Sequence, residues 1–113
     1  MTRWFLAGLV VLGIAGARAE AADVRMYLRH EVADYATWRK AYDAFAADRR
    51  KLGVRSAAVF QSIDNPNEVT LTHDFKTAER AKSFAASPQV KEAMEKAGVK
   101  GTPQFWYTMR AKM

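Results

Sequence analysis

His30 and His73 are the only two histidines in this chain of 113 residues. They are the side chains best suited to acid–base chemistry near neutrality, since an imidazole titrates there and can serve as acid, base or ligand. Each lies in the apolar phase of an alternating segment, where a core histidine bonded to a backbone carbonyl or a carboxylate such as Asp34 would also lie. A second set could hold a ligand. Arg29 with Glu31 or Asp74 is either an ion pair at an interface or an anion-orienting arginine above a carboxylate base. Tyr27, Trp38 and Trp106 offer aromatic surface with a polar edge. His30 and His73 are therefore the candidate catalytic residues, and Tyr27, Arg29, Trp38, Asp74 and Trp106 the candidate ligand-binding residues. The chain has no cysteine and no HxH or HxxxH spacing, so no metal site is expected. No phosphate loop, Ser-His-Asp set or nucleotide fingerprint is present, and no cofactor is expected.

The elements that must position these residues follow from periodicity. Val24 to Val32 alternates, with Val24, Met26, Leu28, His30 and Val32 on one side and Arg25, Tyr27, Arg29 and Glu31 on the other, which predicts a strand. Asp34 caps a helix to about Leu52, striped by Tyr35, Trp38, Tyr42, Phe45, Arg49 and Leu52 at spacings of three and four, and Gly53 stops it. Val54–Ile63 and Glu68–Phe75 read as a hairpin about the turn Asp64-Asn65-Pro66-Asn67. Thr77 caps a helix from Ala78 to Ala86. Ser87-Pro88 restarts it as far as Ala97, and Gly98 ends it. Gly101-Thr102-Pro103 reads as a loop before a last strand, Gln104 to Ala111.

The order β-α-β-β-α-β predicts an α+β fold of the ferredoxin-like split βαβ kind. Right-handed crossovers then give a four-stranded antiparallel sheet in the order 4-1-3-2, with both helices on one face. The phase with Leu28, Leu71 and Phe75 should face the helices. Tyr27, Arg29, Glu31, Thr70, Thr72 and Asp74 then lie on the open side. With Leu28 opposite Thr72, His30 faces Thr70 and His73 faces Tyr27, three residues out of register, or about 10 Å. An open side that also carries Phe60 or Val59 and Trp106 is too apolar to stay wet, so a homodimer or an apolar ligand is expected there.

The chain begins MTRWFLAGLVVLGIAGARAEA. Arg3 precedes an apolar run from Trp4 to Ala15, and Ala17-Arg18-Ala19 offers small residues before a cut. Residues 1–19 are therefore expected to be a cleaved signal peptide, with the cut possible as late as residue 22, and residues 20–113 a single domain. The run is shorter than the roughly 20 residues that span a bilayer. The mature form is expected to lack a membrane span and to be periplasmic or secreted. Removing Arg3 and Arg18 from the 18 basic residues leaves 16 against 12 acidic ones, a net charge of +4. The charges are interspersed, and no nucleic-acid footprint is expected.

The run His30-Glu31-Val32-Ala33-Asp34-Tyr35-Ala36-Thr37-Trp38, with Thr72-His73-Asp74-Phe75 and the closing Phe105-Trp106-Tyr107, resembles the dimeric α+β barrel superfamily. Within it the chain is similar to antibiotic biosynthesis monooxygenase-like and cyclase-like small proteins. The resemblance covers essentially the whole mature chain. It implies two sheets face to face in a homodimer, with a pocket for a small organic ligand. Members include cofactor-independent monooxygenases, haem-degrading enzymes, cyclases and isomerases. The oxygenase and haem-degrading members use a strand-borne or pocket Asn that this chain lacks, since Asn65 and Asn67 fall in the hairpin turn. Two readings stand: an exported small-molecule-binding protein, or a cofactor-independent monooxygenase, isomerase or cyclase acting on an aromatic or polyketide-like substrate.

Overall fold

A computed structural model describes residues 24–112. The expected signal segment lies outside the described residues. Four strands and four helices follow in the order β1 (Val24–Val32), α1 (Tyr35–Ala44), α2 (Ala46–Lys51), β2 (Ser56–Gln61), β3 (Glu68–Phe75), α3 (Ala78–Ala86), α4 (Pro88–Lys96) and β4 (Val99–Met109). The strands form one antiparallel sheet in the order β2-β3-β1-β4, which is the expected order read from the other edge. The central pair follows from alternation. Val24, Met26, Leu28, His30 and Val32 of β1 are buried, as are Val69, Leu71, His73 and Phe75 of β3. Helices cover that face, and Trp38, Ala81, Phe84 and Val90 close the core from the helix side.

The β1–β3 register differs from the expectation by one residue. Leu28 stands opposite Leu71, His30 opposite Val69 and His73 opposite Met26. Directly opposed residues of an antiparallel pair point to the same face, so Leu28 opposite Thr72 would have set an inward residue against an outward one. The two histidines are thus four rows apart, or about 13 Å along the strand.

The first helix is two helices. At Phe45 the amide bonds to the carbonyls of both Ala41 and Tyr42 at 3.2 Å, the tightening that ends an α-helical turn, and α2 starts anew. The Arg49 guanidinium bonds the Tyr42 carbonyl across the break. β2 is shorter than expected because the Val54 amide is used at the helix end, on the Arg49 carbonyl at 3.0 Å. Ile63, assigned to that strand from the sequence, is 98% exposed in the turn. β4 is longer than expected. It begins at Val99, and Gly101, Thr102 and Pro103 form an irregularity in it, set against His30 between the Arg29–Gln104 and Glu31–Lys100 pairs. Gly101 takes φ +68° there, and Pro103 has no N–H to lose from the ladder.

Caps fix the helix that carries Trp38 and Tyr42. The Asp34 carboxylate accepts from the Thr37 amide at 3.0 Å and from its hydroxyl at 2.9 Å. Asn67, in the hairpin turn, accepts the Tyr35 amide on its side chain at 2.8 Å and the Val32 amide on its carbonyl at 2.8 Å. It clamps the end of β1 to the start of α1. Asn67→Ala should lower stability by about 1 kcal/mol in urea unfolding, the usual cost of a lost helix-start partner. An unchanged midpoint would show the clamp to be idle. Thr77 caps α3 through the Arg80 amide at 3.1 Å. Ser87 stands at the start of α4 but its hydroxyl makes no capping bond, so Pro88 alone marks that start.

Candidate functional site

The inward faces of β1 and β3 bring His30 and His73 beneath α1, and the helix stripe lays Trp38 and Tyr42 between them. The His30 ring meets Trp38 edge-on at 5.7 Å between centroids. Trp38 stacks on Tyr42 at 4.9 Å. The Tyr42 hydroxyl lies 2.9 Å from His73 Nε2. His73 in turn meets Phe84 of α3 edge-on at 5.3 Å. Together with Arg49 these side chains line a cavity of about 50 Å³ between the sheet and the helices, closed on the far side by residues of α4 such as Ala93 and Met94.

His30 is 4% exposed and His73 1%. Both ring nitrogens of His30, and Nδ1 of His73, are buried without a hydrogen-bond partner. An orphaned buried polar atom costs about 1–3 kcal/mol, so a protein that keeps three at one cavity keeps them at the expense of stability. Burial pushes His30 down to about 4. Burial, aided by the Arg49 charge, pushes His73 down to about 4 as well. Both rings are neutral at pH 7, and each offers one N–H donor and one lone-pair acceptor. Burial raises Tyr42, with Arg49 and Arg39 opposing, so its phenol stays protonated. The rings can therefore hydrogen-bond a polar group without either of them carrying a charge.

The five ligand-binding residues expected from the sequence do not form one site. Trp38 belongs to this cavity, 2% exposed. Tyr27, Arg29, Asp74 and Trp106 are on the opposite face of the sheet, with the sheet itself between. There Tyr27 stacks on Trp106 at 5.3 Å, nearly parallel. Asp74 takes Arg25 at 2.7 and 3.1 Å and Ser56 at 2.6 Å. Arg29 pairs with Glu68, Nε to Oε2 at 2.6 Å, rather than with Glu31 or Asp74. The true register puts Glu68 opposite Glu31, diagonal to Arg29. This face is also less apolar than expected. Phe60 (55% exposed) and Trp106 (43%) stand out, while Val59 pairs with inward-facing Leu71.

Phe84 and Arg49 join the site without having been singled out for it, while Tyr42 enters it with Trp38 from the helix stripe. Arg49 carried a legible signal, a charged residue inside an otherwise aromatic and aliphatic helix stripe. Among the described residues no three His, Cys, Asp or Glu side chains converge as a metal set.

No protein-family model matches the chain, and no curated protein sequence matches it. Solved structures do. SnoaB, a cofactor-independent oxygenase from Streptomyces nogalater, superposes with a TM-score of 0.65 at 14% identity, over 81% of this chain and 96% of that one. This chain has the fold of the antibiotic biosynthesis monooxygenases. The monooxygenase ActVA-Orf6 of Streptomyces coelicolor, solved with Nanaomycin D, gives a TM-score of 0.58 at 17% identity over 82% and 91% of the two chains. Rv0793 from Mycobacterium tuberculosis gives 0.61 at 16% over 81% and 98%. At these identities the antibiotic biosynthesis monooxygenase likeness is one of architecture: the sheet, its order and the helices on one face.

Proposed function

We propose that the protein binds a small organic molecule with an O–H group, such as a phenol or enol, in the cavity between helices and sheet, and that the neutral rings of His30 and His73 hydrogen-bond it. The observation that carries this is His30. It is fully enclosed, with both ring nitrogens unpartnered, at the wall of a cavity. A ligand hydroxyl would satisfy one of them, and a water the other. The volume limits the ligand. An apolar cavity of about 150 Å³ takes a benzene ring, so at about 50 Å³ a single ring enters only with its edge left in the mouth, or with a side chain such as Met94 swung aside. Phenol titrated calorimetrically is the test. Binding to the native chain and its loss in Ala93→Leu, which fills the cavity from α4, is the expected result. Equal binding to both proteins would place the ligand elsewhere.

A second reading is that the bound anion reacts with oxygen without a cofactor. The architecture shared with cofactor-independent oxygenases supports it, and the substrate must be one that ionises in water, because rings held at about 4 do not take a proton from a phenol at about 10. The balance is closed by the substrate: a methylene beside the phenol and O₂ give a carbonyl and water. Oxygen uptake with phenols that carry an adjoining ring methylene, lost in His73→Gln, would support this; no uptake across such a panel would leave the protein as a binder.

The outer sheet face suits a twin subunit. Arg25–Asp74 and Arg29–Glu68 are already paired within one chain, which lowers the penalty of covering them, and Tyr27–Trp106 and Phe60 supply apolar area. A homodimer through this face, exported by the leader at residues 1–19, completes the proposal. Sedimentation at micromolar concentration should give a dimer that Trp106→Glu weakens.

A further inference from the structure

Arg49 is the single charged residue lining the histidine cavity; no Asp or Glu reaches it. Its guanidinium sits 3.6 Å over the Tyr42 ring and bonds the Tyr42 carbonyl at the α1–α2 break. Among the described residues it has no carboxylate partner. Asp43 acts on it electrostatically but is paired with Arg39 at 3.1 Å and does not line the cavity. A half-buried cation in contact with the tyrosine that bonds His73, facing a cavity without any negative charge, leaves a field that one negative charge would complete. His30 and His73 line the same space, with His73 Nδ1 and both His30 nitrogens lacking a hydrogen-bond partner.

We infer that the cavity selects molecules carrying an anionic oxygen, a carboxylate or an enolate, and that Arg49 is the residue that reads this charge. The inference rests on the proposed use of the cavity and adds the chemical class of the ligand. The Arg49 side chain also helps to hold the break between α1 and α2, so its removal must be separated from simple unfolding. The Tyr42 ring and carbonyl hold the guanidinium, leaving its remaining N–H groups as donors.

Benzoate and benzamide have the same shape and differ in charge. Calorimetric titration of each into the full chain at pH 7.5 should show benzoate bound at least tenfold more tightly. Arg49→Met should bring the two affinities together, with its circular dichroism and urea midpoint showing a folded chain. Arg49→Lys should retain most of the preference, and Arg50→Met, on the exposed neighbour, all of it. Equal affinities in the native chain, or a preference that survives Arg49→Met, would overturn the role of Arg49 and leave the cavity as a neutral-ligand site. Failure of both probes to bind would overturn the cavity reading itself, and the inference with it.

Discussion

Acidification from pH 7.5 to 4 is expected to remove much of the protein's folding free energy, through two side chains. His30 and His73 are held at about 4 in the folded protein, against about 6.5 in an unfolded chain. Between those values the unfolded state binds protons that the native state refuses, so stability rises with pH there and falls on acidification. The contribution is complete above about pH 7, and is lost as pH drops from about 6.5 to 4. Each ring accounts for about 3 kcal/mol, and the slope approaches about 2.7 kcal/mol per pH unit when both titrate together. Against a typical total of roughly 5–15 kcal/mol, that is a large share of the domain's stability. Urea midpoints at pH 7.5, 6, 5 and 4.5 measure it. The double variant His30→Leu/His73→Gln, in which Gln can still meet the Tyr42 hydroxyl, should show a flat profile over this window. A native-like slope in that variant would assign acid sensitivity elsewhere.

The single variant His30→Leu should be more stable than the native protein at pH 7.5, by about 1–2 kcal/mol, and should bind phenol at least tenfold more weakly. The reason is the same pair of orphaned nitrogens. Leucine is close in volume to histidine and has no polar atom to bury, so the desolvation penalty disappears. A stability gain at the expense of function is characteristic of site residues. A destabilised variant would mean that water or a partner satisfies His30 in solution and that its role is structural.

Much of the architecture was legible because the signals were local and repeated. Val24–Val32 and Glu68–Phe75 alternate without a break, Asp34 and Thr77 are unambiguous caps, and the element order leaves one sheet order under right-handed crossovers. The failures are non-local or turn on one residue. The break at Phe45 interrupts no stripe, so periodicity alone ran the helix through it. Gly101-Thr102-Pro103 has loop composition but is kept in the sheet by the residues on either side of it. The histidines were found because only two exist and both sit in phase with Leu28 and Leu71. Their surroundings were misjoined: Trp38 was grouped with Tyr27, Arg29, Asp74 and Trp106, although the helix and the outer sheet face can never share a pocket once the sheet lies between them. The register itself was within reach, since cross-strand partners must share a face.

Nitrogen-15 NMR of the imidazole rings, recorded as phenol is titrated in, sees the proposed site atom by atom. The account predicts that Nδ1 and Nε2 of His30 move and that the Tyr42–His73 pair responds, while the indole N–H of Trp106 on the outer face stays where it was. Shifts at Trp106 and Tyr27 with silent histidine nitrogens would contradict it and move the ligand to the other side of the sheet.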